Sequence, residues 1–298
     1  MLIKDIGEFG LIQRIKKQIK FDSSVIVGPG DDCAVVEFSK KEYLLFTCDM
    51  LIEGIDFTRK VDPRLIGRKA LAVSLSDIAA CGGKPRYALV SLGLPKRTSL
   101  KIADGIIKGI LDLAEEFKVN IVGGDLSRAD KITLDVSVTG VVKKPQLVLR
   151  SGAKKGDVIF VSGPLGGSLK GKHLDFTPRV KEAEILVNNF KLNSMIDISD
   201  GLVQDLNHIL ESSSAGAVIY EELIPISKEA SGLDDALYSG EDFELLFTAS
   251  SQEAKKIFYR YPQQFNPIGE IMPEKFGLRL MDRKKKGRKL PLKGFIHF

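Results

Sequence analysis

Residues 11–20 place apolar side chains at helical spacing, and three short runs of β-forming residues follow at 25–27, 34–38 and 43–47. Pro63 opens a long helix predicted through Ala80 and closed by Gly82 and Gly83. Proline at a helix start and glycine beyond its end is the usual asymmetry. A strand is expected at 87–94, ending at Pro95. An amphipathic helix over 99–117 follows, with Ile102, Ile106, Ile110 and Leu113 on one face. Strands at 119–122 and 132–142 complete this half. Between Lys143 and Gly156 the pattern turns basic and turn-rich, in KKPQLVLRSGAKKGD. A junction is placed there, with domains expected at 1–145 and 146–298. The second half repeats the style. Strands are predicted at 158–162, 195–198, 217–220 and 243–248, and helices near 180–190, 201–212 and 233–238. The last fifty residues hold one more helix and two or three strands. Interleaved strands and helices in both halves give a two-domain α/β (α+β) class.

Composition adds limits. The 298 residues are 44% apolar and 28% charged, ordinary for a globular chain with sizeable cores. No apolar run reaches the roughly 18 residues that span a bilayer, and MLIKDIGEFGLIQRIKKQIK lacks the apolar segment of a secretory signal. A cytoplasmic location and no membrane partner are expected. Cys33, Cys48 and Cys81 are too widely spaced for a disulfide framework or a zinc site, so all three are read as small buried residues. The net charge of +5 is local: residues 279–293 alone carry +7, leaving −2 for the rest. A solvated hairpin turn around Lys285–Gly287 is expected there. No aromatic stacking set accompanies the patch, so no nucleic acid is expected.

Aspartates recur where a strand ends or a helix begins. Asp31 and Asp32 lie in GPGDDCAVVE, Asp49 closes YLLFTCD, Asp77 sits in SLSDIAACGG, Asp125 follows NIVGGD, and Asp197 and Asp200 lie in MIDISDGL. Singly, each has an ordinary reading as a turn or cap residue, and capping is the stronger reading for Asp200. Together they are harder to dismiss, because Asp49 and Asp125 follow apolar runs and no Lys or Arg lies in the same motifs to pair with them. Mg²⁺ bridging to a polyphosphate is a natural solution. Gly166–Lys172 reads GGSLKGK, which matches the first part of a P-loop. His173 stands where Ser or Thr is required and Pro178 follows closely, so the match is discounted. His173, His208 and His297 form no triad pattern and are expected at the surface or in structural roles.

At these motifs the sequence resembles the thiamine-monophosphate kinase family, within the aminoimidazole ribonucleotide synthetase-like superfamily. The resemblance runs through GEFGLI, GDDCAV, TCDMLIEGIDF, KALAVSLSDIAACGGKPRYALVSLGLP, VGGD, RSGAKKGD, MIDISDGLVQDLNHI, SGEDFELLFT and the final GFIHF. A selenophosphate synthetase of the same superfamily would carry a reactive Cys or selenocysteine near its N-terminus, whereas the first cysteine here is Cys33.

The resemblance implies a two-domain fold, each half a mixed sheet with packed helices, and a homodimer joined through strands of the N-terminal halves. It implies ATP-dependent phosphorylation of thiamine monophosphate with several Mg²⁺ ions. It places Asp32, Thr47, Cys48, Asp49, Asp77, Asp125, Asp197 and Asp200 at metal positions. Gly124, Asp125, Arg150 and Ser199 fall at ATP positions, and Asp56, Glu241 and Leu292 near the acceptor. Asp49, Asp125 and Arg150 are the implied catalytic set. Three departures touch the acceptor end: Asp56 stands where the family usually has His, Leu292 where an aromatic is common, and the segment 167–178 is short.

Overall fold

The computed structural model describes residues 2–295. Its first half holds α1 (Ile3–Lys16), β1 (Val25–Val27), β2 (Ala34–Glu37), β3 (Glu42–Ile52), α2 (Pro63–Ala80), β4 (Lys84–Leu94), α3 (Leu100–Phe117), β5 (Asn120–Arg128) and β6 (Thr133–Lys143). These strands form one six-stranded sheet in the order β1-β2-β3-β6-β4-β5, antiparallel except for the β4–β5 pair, which α3 connects.

The second half holds β7 (Val158–Val161), α4 (Lys172–Asp175), α5 (Val180–Asn189), β8 (Leu192–Asp197), α6 (Leu202–Ser213), β9 (Ala215–Tyr220), α7 (Leu233–Tyr238), β10 (Leu245–Ala249), α8 (Ser251–Arg260), β11 (Asn266–Pro273), β12 (Leu278–Met281) and β13 (Gly287–Lys289). Its seven-stranded sheet runs β13-β12-β9-β11-β7-β10-β8. The basic segment is a β12–β13 hairpin, its turn closed by Lys285 N–H donating to the Asp282 carbonyl.

Helix α2 is the spine. Asp62 caps it by accepting from Arg64 N–H at 2.9 Å, and Pro63 sits in its first turn. Nearly every residue from Ile66 to Ala80 is buried, so beyond its first turn α2 has almost no solvent face. It packs on the first sheet, on α3, and on α4, α5 and β8 of the second half. Its approach to α3 is backbone to backbone. A Cβ built on Gly67 would lie 1.9 Å from the Ile106 carbonyl oxygen, and one on Gly109 the same distance from that of Arg64.

Two cores follow. One runs from the first sheet and α2 across the junction to Phe160, Met195 and Phe247 on one face of the second sheet. The other lies on that sheet's opposite face, where Ile159, Ile196 and Leu246 meet α6 and α7. The far face of the first sheet carries no helix. Phe46, Met50, Tyr87 and Leu89 are exposed on it.

Several expected elements shift. α1 begins at Ile3 rather than residue 11, with a backbone break at Gly7. β3 continues to Ile52, held by pairing with β6 along its length, so Asp49 lies inside the strand rather than at its end. Likewise β5 runs through Gly123–Gly124–Asp125 in register with β4, where the sequence suggested a strand ending at 122. Cys33 and Cys81 are buried as expected, but Cys48 is exposed, because strand alternation turns it to the open face.

Gly67→Ala and Gly109→Ala are expected to lower the unfolding free energy by about 1–3 kcal/mol each in urea titrations. An unchanged midpoint for both would contradict the backbone contact between α2 and α3.

Candidate active site

Four segments converge at the C-terminal end of α2. The loop before β2 brings Asp31 and Asp32, and β3 brings Thr47 and Asp49 on its helix-facing side. The last turns of α2 bring Ser74, Ser76 and Asp77, and the end of β8 brings Asp197. One carboxylate oxygen each from Asp32, Asp77 and Asp197 lies within 4.8 Å of the others. Hydroxyls meet the carboxylates one by one. Thr47 donates to Asp77. Ser74 Oγ lies 2.7 Å from Asp49 Oδ2, and Ser76 Oγ donates to Asp197 Oδ2 at 2.5 Å. The cation here is Arg150, whose Nη2 and Nε lie 2.6 and 3.2 Å from Asp32 Oδ1. Its backbone N–H donates to Asp31 at 3.1 Å.

One guanidinium does not balance these carboxylates. Burial, reinforced by Asp32, pushes Asp31 and Asp197 up to about 7. Burial also raises Asp32 and Asp49, and carries Asp77 well above the carboxylate range with Asp49, Asp197 and Asp32 adding to the push. The buried Asp32 Oδ2 has no hydrogen-bond partner among the described residues. Convergent oxygen donors, excess negative charge and an orphaned acceptor fit a hard divalent cation such as Mg²⁺.

Not every expected residue joins this cluster. β6 and β4 separate β3 from β5, and Asp125 lies in one cross-sheet row with Ser91, Asp135 and Met50. Three strand spacings put it about 14 Å from the Met50 position. Asp125 is exposed on the helix-free face and accepts from Ser127 Oγ at 2.8 Å. Gly124 precedes it in the same edge strand, and Cys48 turns its thiol away from Thr47 and Asp49. The N-cap of α6 is Gly201 rather than Asp200, and from inside the helix the Asp205 carboxylate accepts from the N–H groups of Asp200 and Gly201 at 3.0 Å each. Asp200, Asp205 and His208 form another group of possible ligands, as do Asp31, Asp32 and Cys81.

The expected acceptor residues sit elsewhere along α2. Glu241 follows Gly240 with φ of 64°, a strained left-handed backbone for a non-glycine residue. Its N–H donates to the Ser199 carbonyl at 2.7 Å, which ties it to the Asp197–Asp200 loop. Its carboxylate lies 2.6 Å from Lys69 Nζ and 2.7 Å from His173 Nδ1. Burial pushes Glu241 up, but the His173 hydrogen bond and the Lys69 charge outweigh it and hold the carboxyl below its ordinary value. Asp56 Oδ2 accepts from Ile52 N–H at 2.7 Å, so this carboxylate shapes its own loop. Leu292 is exposed, on a C-terminal segment whose Phe295 N–H reaches the Asp200 carbonyl.

Residues 30–142 match the model of the AIR synthase related protein N-terminal domain, and 164–280 that of the C-terminal domain. The thiamine-monophosphate kinase of Buchnera aphidicola subsp. Schizaphis graminum is 34% identical over 99% of this chain and 99% of its own. That of Aquifex aeolicus is 37% identical over 83% of this chain and 87% of its own. The chain belongs to the thiamine-monophosphate kinase family. A solved structure of this family, AaThiL complexed with AMPPCP and TMP, aligns at a TM-score of 0.87 and 33% identity, covering 100% of this chain and 99% of that one. The hydrogenase maturation protein HypE in complex with ATP shares the fold at 18% identity and a TM-score of 0.72.

Within this family member, the site includes residues that motif reading passed over. Ser74 and Ser76 were visible only as part of SLSD, and Lys69 as an ordinary helix position. Of the two roles expected for it, His173 takes the structural one, contacting both Lys69 and Glu241. His208 is largely buried, which pulls its imidazole down to about 4, and His297 lies outside the described residues. The P-loop-like segment is filled by protein. Gly166 N–H and Ser168 Oγ both donate to Asp242, and Lys172 pairs with the buried Glu244.

In the metal-free folded protein, Asp31 and Asp197 keep protons to about pH 7 that the unfolded chain releases near 3.8. These groups therefore remove stability as pH rises through that window. A divalent cation needs the ionised ligands. Added Mg²⁺ is expected to raise Tm more at about pH 8 than at about pH 5 in chelator-treated protein. Equal increments would separate the cluster from metal binding.

Proposed function

We propose that this chain transfers the γ-phosphoryl group of ATP to thiamine monophosphate, giving thiamine diphosphate and ADP. The observation that carries the reading is the convergence of Asp32, Asp77 and Asp197 on one another, with Arg150 paired to Asp32 and Asp32 Oδ2 left unsatisfied among the described residues. Asp32, Asp49, Asp77 and Asp197, with Thr47 beside them and Asp200 nearby, would hold Mg²⁺, which when bound would supply charge neutralisation for the phosphates.

The chain's own groups do the rest. Arg150 offers a planar guanidinium to phosphate oxygens, held in place by Asp32. The acceptor's phosphate is mostly ionised near neutral pH, since its second pKa is about 6, so no general base is required. In-line positioning and charge neutralisation carry the catalysis. Ser199 belongs to the nucleotide end. Glu241 receives the acceptor, with Asp56 and Leu292 on segments beside it. The domain boundary is taken at residue 145, with metal and nucleotide binding and dimerisation assigned to 1–145. The reaction is assigned to the cytoplasm, with two small molecules as partners.

A homodimer completes the site. Asp125 lies too far across the sheet to join the cluster of its own chain, and it shares the helix-free face with the exposed Phe46, Met50, Tyr87 and Leu89. Pairing two such faces covers this apolar surface, and Gly124 and Asp125 of one chain are assigned to the metal site of the other.

Asp49→Asn and Asp77→Asn are each expected to abolish phosphorylation of thiamine monophosphate while leaving the circular dichroism spectrum intact. Wild-type turnover in both would remove the cluster from the reaction. Asp77→Asn and Asp125→Asn chains, each inactive alone, are expected to recover about a quarter of wild-type activity when co-refolded in equal amounts, because a mixed dimer holds one intact site of two. No recovery would mean that Asp125 serves its own chain.

A further inference from the structure

Lys69 is fully buried in the middle of α2. A buried ammonium is costly unless its hydrogens and charge are matched. Here the match comes from two separate segments, with a third beside them. Nζ lies 2.6 Å from Glu241 Oε1, 3.1 Å from the Asp56 carbonyl oxygen and 3.1 Å from His173 Nδ1. His173 Nδ1 in turn lies 2.7 Å from Glu241 Oε2. The shorter contact, to an anion, places the ring proton on Nδ1, donating to Oε2. Lys69 then donates to Oε1 and to the Asp56 carbonyl. Each oxygen of Glu241 keeps a lone pair beyond these bonds.

The same carboxylate is held from its backbone side. Glu241 at φ 64° and Phe243 at φ 50° are both strained, and their N–H groups donate to the Ser199 and Ile198 carbonyls. The glutamate is thus fixed at its main chain by the loop that carries Asp200, and at its tip by α2 and the segment containing α4. Lys69 and Asp77 are eight residues apart on one helix, about 12 Å along its axis. One rigid element therefore carries both the support for Glu241 and the metal cluster.

We propose that Lys69 and His173 are positioning residues for the acceptor, which act through Glu241 to aim its free lone pairs at the N–H donors of the acceptor's aminopyrimidine. The inference rests on the kinase reading above. It assigns acceptor selectivity to a lysine and a histidine that come from opposite sides of the domain junction. A site built to accept a hydrogen bond discriminates strongly against misplacement, because its polar groups are then left unpaired.

The test is steady-state kinetics on the full chain, varying MgATP and thiamine monophosphate separately, for Lys69→Met, Lys69→Arg, His173→Ala and His173→Asn. Lys69→Met and His173→Ala are expected to raise KM for thiamine monophosphate about tenfold or more, while KM for ATP moves by less than about twofold. His173→Asn restores an amide N–H donor and is expected to recover most of the loss. Parallel changes in both KM values, or a loss that His173→Asn does not rescue, overturn the proposal. Should Lys69→Met fail to fold, Lys69→Met/Glu241→Gln removes both charges and the His173 pair still decides. Absence of wild-type turnover on thiamine monophosphate would instead bring down the kinase reading itself, which the wild-type arm tests separately.

Discussion

Carboxylates that cannot neutralise one another govern this molecule. Asp32, Asp49, Asp77 and Asp197 are drawn into one region whose nearby polar groups are hydroxyls and a single guanidinium. In a low-dielectric interior that arrangement is unfavourable unless protons or cations complete it. Burial raises all four, which is the energetic signature of a site built for a partner that is positive and hard. The four come from a loop, a strand, a helix and a strand of the other domain. A cation that satisfies them therefore also holds the two halves together.

Helix α2 makes this possible because it is buried all round from Ile66 onward, save for Arg68 and Asp77. Its small residues allow the close contact with α3, and its apolar residues join the core that crosses the junction. Its polar side chains reach different destinations at fixed spacing. Ser76 crosses to Asp197, Asp77 meets Thr47, and Lys69 crosses to Glu241. The distance between the Asp77 cluster and the Lys69–Glu241 pair is set by helical rise rather than by a loop. The sheet under α2 is one-sided by contrast. Its open face gathers exposed apolar residues and Asp125.

Local chemistry made much of this legible. Pro63, Gly82 and Gly83 bracket α2 at Pro63–Ala80, because breakers act within a turn of where they stand. The helix Leu233–Tyr238 and the basic hairpin near residue 285 were equally readable. The aspartate motifs stood out because polar residues beside apolar runs demand a reason. Strand lengths were not legible. β3 and β5 extend past their apolar runs because their ladders with β6 and β4 continue, and pairing depends on a partner far along the chain.

The sequence by itself determined which chemistry is present: a set of acidic motifs, one arginine between the halves, a discounted P-loop match, and an ordered resemblance to one kinase family. Only the tertiary structure decided which of those residues meet. Thr47 and Asp49 face the cluster while Cys48 between them faces away, because a strand alternates. Asp125 lands three strand spacings away, because β4 and β6 insert between its strand and β3. Lys69 and His173, unremarkable in the sequence, became the supports of Glu241, because the packing of one domain on the other buried them against it.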